Sequence, residues 1–327
     1  MLTIDGSWVW DFWIADDGAE YHLFYLHAPT SLVDPRRRHR AARIGHAVSD
    51  DLQNWTVVDE SVLDTGAPDD FDATATWTGS VVRGDDGMWR MFYTGSRFLG
   101  PEPEMANVEA IGVAVSGDLR TWTKTPGPVV VADPRWYETW EMGTWKEEAW
   151  RDPWVFKDPA GSGWHMLITA RANHGAIDDR GVIGHAFSQD LVTWEVRTPL
   201  TRPGEGFAHL EVPQVAAIDG RWVLLFSSAA GSMTAEHASD HPDPGTWAVL
   251  IDDPTRPFLL AAARPVTSEA LYSGRVIQGR NGGWQFLAFH NDQVGRGFAG
   301  GISDPFPFHV PVDAALIASR AAVVRRQ

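Results

Sequence analysis

Apolar and polar positions alternate with a period of two along most of this chain, in short runs punctuated by Gly, Pro, Asp and Ser. That period sends successive side chains to opposite faces of a strand, so it predicts β-structure throughout. One run returns nearly unchanged, as IGHAVSDDLQNW at 44–55, IGVAVSGDLRTW at 111–122 and IGHAFSQDLVTW at 183–194. Each copy reads as an alternating strand, a polar Asp-Leu turn and a Trp that opens another strand. An aromatic strand precedes each copy, YHLFYLHA at 21–28, MWRMFYTG at 88–95 and WHMLITA at 164–170. It recurs as RWVLLFSS at 221–228 and WQFLAFHN at 284–291. Ahead of these five stand SWVWDFWIA, TWTGSVVRG, AWRDPWVFKD, LEVPQVAAID and LYSGRVIQG.

Five self-similar units of three or four strands predict an all-β fold, a five-bladed β-propeller of antiparallel four-stranded blades around a central channel. The third strand is weaker in units four and five, where GTWAVLID and FAGGISDPF are the candidates. VDAALIASRAAVV, 312–324, reads as a short helix or as a last strand closing the ring. No linker or composition break divides the chain, so residues 1–327 are expected to form one domain.

Composition narrows the function. A formal net charge of −16 argues against a nucleic-acid or anionic-membrane partner, both of which call for basic patches. No long uncharged apolar span predicts a membrane helix. The first residues carry acid and no basic segment, so no secretory signal is expected, and with no cysteine in the chain a cytoplasmic location is expected. Seventeen Trp residues suit both core packing and stacking on sugar rings.

The first strand of each propeller blade lines the channel. Those strands carry Asp11; Thr78 and Ser80; Arg151 and Asp152; His209, Glu211 and Gln214; and Tyr272, Ser273 and Arg275. Asp11, Asp152 and Glu211 thus come from three blades to one axis. Each sits in an apolar run, where an unpaired carboxylate is costly. Paired carboxylates are what glycosidic cleavage needs, one as nucleophile or base and one as general acid of raised pKa. Arg151 beside Asp152 is suited to keeping a neighbouring carboxylate ionised.

Other stretches stay open. The Trp-rich segment 136–150 suits a lid over the channel or a packed connection between blades, with Glu147 and Glu148 at the site rim or on solvated faces. His46 and His185 occupy matching IGHA positions, a structural slot or metal ligands. His290 is a candidate cation ligand. DPRRRHR, 34–40, suits an exposed loop or an oligomer contact.

On four motifs in order, VWDFW, TWTGSV, RDP and LEVPQV, the chain resembles the fructosidases and fructosyltransferases of glycoside hydrolase families 32 and 68. The resemblance implies Asp11 as nucleophile, Glu211 as general acid/base and Asp152 as transition-state stabiliser. It implies Arg151 as a brace, Trp10 and Trp77 as apolar walls with Trp13 among the sugar-binding residues, and Thr78 as a hydroxyl bonded to the nucleophile. Ser80, His209, Gln214 and Tyr272 complete the expected sugar-binding set. It further implies a small carbohydrate substrate, sucrose or short fructooligosaccharides, with no cofactor and no metal. The mechanism implied is retaining, with the Asp11 and Glu211 carboxyls roughly 5–5.5 Å apart. An inverting arabinosidase or xylosidase of the family 43 kind, and a sugar-binding propeller without catalysis, are the alternatives.

Overall fold

The computed structural model describes residues 1–161, 163–293 and 297–310. Five antiparallel sheets follow one another along the chain, forming a five-bladed β-propeller. Blade one holds Ser7–Asp16, Tyr21–Pro29, Arg43–Ser49 and Thr56–Leu63, paired in that order. Blade two holds Ala75–Arg83, Trp89–Phe98, Asn107–Ser116 and Thr123–Lys124. Blade three holds Trp150–Lys157, Trp164–Arg171, Gly181–Ser188 and Trp194–Arg197. Blade four holds Glu211–Ile218, Arg221–Ser227, Thr246–Ile251 and Arg264–Pro265. Blade five holds Leu271–Gln278, Trp284–His290 and Phe306–Pro307.

The repeated Asp-Leu turn has a physical cause. Asp51 Oδ1 accepts the backbone N–H groups of Gln53 and Asn54 at 2.9 and 2.8 Å, and Ser49 Oγ accepts that of Leu52. Leu52, Leu119 and Leu191 stand in the left-handed region, with φ of 66, 61 and 62°. A bulky residue resists that region; full burial of all three side chains offsets the strain. The Trp that follows packs on the preceding blade. Trp122 meets Phe24 edge-on at 5.6 Å, and Trp194 meets Phe92 at 5.3 Å.

Blade five is the irregular one. Its third strand is a bent path through Ile302, which bridges Phe289 on one side and Leu2 on the other. Leu2 and Ile302 exchange both backbone hydrogen bonds at 2.9 Å, so the start of the chain closes the ring. The segment 312–324, read as a helix or closing strand, lies outside the described residues. GTWAVLID supplies the Thr246–Ile251 strand as expected.

Candidate active site

The innermost strands share one irregularity. Each pairs with its neighbour through a register shift that adds one residue on the channel side. The extra residue falls at Asp11, at Thr78, at Asp152-Pro153, at Val212-Pro213 and at Ser273-Gly274. A bulge bends the strand and re-aims its side chain. Asp152, Val212 and Ser273 take φ of 56, 54 and 51° to do so, which for β-branched Val212 is a genuine strain. The Arg-Asp-Pro triplet inside an apolar strand is therefore a bulge: Pro153 sits where the ladder is interrupted.

These bulges turn Asp11, Asp152 and Glu211 into one cavity of about 430 Å³, which Trp10, Trp77, Thr78, Arg151, Tyr272 and Ser273 also line. Asp11 accepts the Thr78 hydroxyl on one oxygen and the Ser273 hydroxyl on the other, each at 2.7 Å. Glu211 accepts Arg151 at 2.8 Å and the Tyr272 hydroxyl at 2.6 Å. Asp152 Oδ2 accepts the Thr169 hydroxyl at 2.8 Å and the Val212 amide at 3.1 Å. Asp152 Oδ1 has no hydrogen-bond partner among the described residues, which leaves it for a ligand. Arg151 is the hub: it also reaches both Glu109 oxygens, at 3.2 and 3.1 Å, and Glu147 at 3.3 Å.

Burial raises the Asp11 carboxyl against the lowering effect of its two hydroxyl partners. Burial, opposed by Arg151, pushes Asp152 up to about 7. Glu211 goes the other way: burial lifts it, but the Arg151 charge and the Tyr272 and Arg151 hydrogen bonds outweigh that and hold it below its ordinary value. The expected general acid of raised pKa is thus not found at Glu211, because its brace is a cation in direct contact.

Four expected sugar-binding residues stand apart from the cavity. Trp13 is fully buried and stacked on Phe24 at 6.0 Å. Ser80 accepts the Val155 amide at 3.0 Å, joining blade two to blade three. Gln214 clasps blade five by accepting the Val276 N–H and donating to the Val276 carbonyl, both at 2.8 Å. His209 lies behind Arg151, its Nδ1 3.3 Å from that guanidinium and its Nε2 accepting from Trp145 at 2.9 Å. These side chains hold the ring and the brace together.

The structure adds residues that the pattern did not single out. Glu109 is buried against Arg151 and departs from the repeat, where the neighbouring copies carry Ala42 or Gly181 near that place. Glu147 lines the cavity, whereas Glu148 accepts the Trp140 amide. The basic run at 34–40 is not a plain loop. Asp34 caps a helical turn with Pro35 at its start, and Arg38 and His39 then line the cavity. Segment 136–150 packs as a connection through Tyr137 and Trp150 and still presents Lys146 and Glu147 to the cavity mouth. His46 and His185 fill a structural slot, stacked on His22 and His165 at 5.1 Å. His290 does not line the cavity, and among the described residues no cluster of three or more ligating side chains could hold a metal ion. A second cavity of about 440 Å³ opens beside Phe71, Tyr93 and Trp122, but its buried Asp72 is already paired with Lys124 at 2.5 Å.

Residues 14–245 match the glycosyl hydrolases family 32 N-terminal domain, a span that contains Asp152 and Glu211 and begins just after Asp11. The cell wall isozyme of β-fructofuranosidase from Pisum sativum is 29% identical over 201 residues, 60% of this chain and 32% of that protein. The chain spans about a third or less of the length of the curated relatives it matches. An inulosucrase from Halalkalicoccus jeotgali bound to kestose superposes with a TM-score of 0.71 at 23% identity, over 88% of this chain and 77% of that one. A levansucrase from Gluconacetobacter diazotrophicus does so with a TM-score of 0.71 at 18% identity, over 94% and 80%. At such identities the two structures speak for the fold.

Proposed function

The chain belongs to glycosyl hydrolase family 32, and from that footing we propose that it cleaves fructosyl linkages in sucrose or short fructooligosaccharides by a retaining route. One observation carries this reading: three carboxylates from three blades face a single cavity, with Asp11 and Glu211 both fully hydrogen-bonded at its floor. Asp11 attacks the anomeric C2 of the fructosyl unit. Glu211 gives its proton to the departing glycosidic oxygen, and a fructosyl-Asp11 ester forms. Glu211 then takes a proton from water, whose oxygen attacks C2 and releases Asp11. A second sugar in place of water gives transfer. Asp152 offers Oδ1 to fructosyl hydroxyls, and Trp10 and Trp77 wall the ring.

Thr78 and Ser273 aim the Asp11 oxygens, and Arg151 and Tyr272 aim those of Glu211. Raising Asp11 and lowering Glu211 draws the two carboxyls together in acid strength, and the reacting form is the one in which Glu211 holds the proton and Asp11 is ionised. The three carboxyls titrate as a group, and an acidic activity optimum is the expected result.

Assay of sucrose, inulin-type and levan-type oligomers, with arabino-oligosaccharides as control, tests the substrate class. Carbon NMR of the first-formed product tests the stereochemistry: retention at C2 is expected, and inversion would remove the covalent route. A crystal structure of a complex should then place the two carboxyl groups about 5–5.5 Å apart.

A further inference from the structure

We propose that Arg275 is a positioning residue for the three carboxyls: from beneath the cavity floor its guanidinium ties together the strands that carry them and supplies a countercharge to Asp152 and Asp11. Its part in turnover rests on the fructosidase reading, whereas the countercharge itself does not.

The first residue beyond each bulge forms a layer under the cavity: Phe12, Gly79, Trp154, Gln214 and Arg275 in blade order. Arg275 is the one charged member of the five. Ser273 lines the cavity, but Arg275, two residues on, does not and is only 2% exposed. Its Nη1 donates to the Pro213 carbonyl at 2.8 Å and its Nε to the Phe12 carbonyl at 3.4 Å. The guanidinium lies 5.0 Å from the centre of the Trp154 ring. One side chain from blade five thus touches the innermost strands of blades one, three and four. Each contact falls one or two residues after an acid: Phe12 after Asp11, Trp154 after Asp152 and Pro213 after Glu211.

Joining strands does not by itself call for a charge. Gln214, in the same layer, joins blade four to blade five with a neutral amide. A cation taken out of water is costly unless opposite charges offset the loss. Burial pulls the Arg275 guanidinium down to about 10, opposed first by Asp152 and then by Asp11, so it stays charged at neutral pH. Asp11 also faces the Thr78 and Ser273 hydroxyls, Glu211 and Arg38. Asp152 also faces Arg151, Glu211 and the Thr169 hydroxyl. Arg151 divides its contacts among Glu109, Glu147 and Glu211, so it does not serve the floor alone. On the proposed route Asp11 must be anionic to attack. A cation fixed below it by two carbonyls and a ring favours that form, and needs no reorganisation during the reaction.

The test is a pair of variants: Arg275→Lys keeps the charge, and Arg275→Met keeps the length and removes it. Arg275→Met is expected to move the acidic limb of kcat/KM on sucrose upward by about half a pH unit or more, because Asp11 and Asp152 then hold their protons to higher pH. Arg275→Lys should bring the limb back toward that of the wild type. A structural clamp alone predicts a lower kcat in both variants with the limb in place. An unmoved limb overturns the proposal, as does one that Arg275→Lys fails to restore. Carbon-13 NMR of the aspartate carboxyls, assigned through Asp11→Asn and Asp152→Asn, follows the same titrations without turnover. Raised midpoints in Arg275→Met support the countercharge even if no fructoside is cleaved, in which case the fructosidase reading alone fails. Unchanged midpoints defeat the countercharge and leave that reading intact. Should Arg275→Met not fold, the wild type decides. Its Arg275 Nε–H signal, assigned by its loss in Arg275→Lys, is expected to shift as the two aspartates titrate, and a signal that stays flat between about pH 4 and 7 overturns the proposal.

Discussion

On the proposed route Glu211 is the side chain on which most of the chemistry turns. Glu211→Gln keeps the shape and removes the proton, so kcat on an unactivated fructoside should fall by about three orders of magnitude or more in steady-state assays. Tyr272→Phe is subtler. The lost 2.6 Å hydrogen bond helps hold Glu211 below its ordinary value, so its removal lets that carboxyl rise. The pH of maximal kcat/KM should move upward in the variant; an unmoved optimum would show that the hydroxyl does not govern the proton. The convergence of the three carboxylates was legible in the sequence because each acid interrupts an apolar strand. Depth was not legible. Trp13 and Ser80 stand two residues beyond their bulges and Gln214 one beyond Pro213, and at about 3.3 Å per residue that carries them below the cavity floor. Alternation reports the face of a strand, not the distance along the channel.

The innermost strands do two jobs along their length, presenting side chains to the cavity at the bulge and joining blades beyond it. Gln214 belongs to the second. Gln214→Ala strands the buried N–H and carbonyl of Val276, which should lower stability by about 2–4 kcal/mol in urea denaturation. KM should change little, the reverse of what a sugar-binding glutamine predicts. The bulges themselves left traces in the sequence, in Gly79, Pro153, Pro213 and Gly274, residues that a regular central strand avoids. The helical turn bearing Arg38 was also signalled, by Asp34-Pro35. A basic run reads as solvated until the hairpin before it is known to end at the channel mouth.

Blades one and three each bury a stacked imidazole pair, His22 on His46 and His165 on His185, with ring nitrogens 3.0 and 2.8 Å apart. Asp17 and Asp158 stand 3.5 and 3.2 Å from the outer rings. Blade two has Arg90 and Val113 at the matching places. Burial pushes all four histidines down, His46 and His185 to about 3. The unfolded chain therefore binds more protons than the folded one below pH 6.5. The stabilisation is complete above that pH and declines as the solution is acidified toward 3. Asp11 and Asp152, raised in the fold, work in the opposite sense between about 4 and 7. A His46→Asn, His185→Asn double variant should therefore lose less melting temperature than the wild type between pH 6.5 and 3, read by calorimetry.

Ring closure through Leu2 and Ile302 sets an order of events during synthesis. Every other sheet is a meander whose strands leave the ribosome one after another and find partners close by. Leu2 instead waits for its partner until four complete sheets and most of a fifth have been translated. Only then does Ile302 arrive to receive it. A contact so distant in sequence forms late and slowly. Until it does, the first sheet has an open seam, and the hub groups it shares with the last, Asp11 and Ser273 among them, have not yet met.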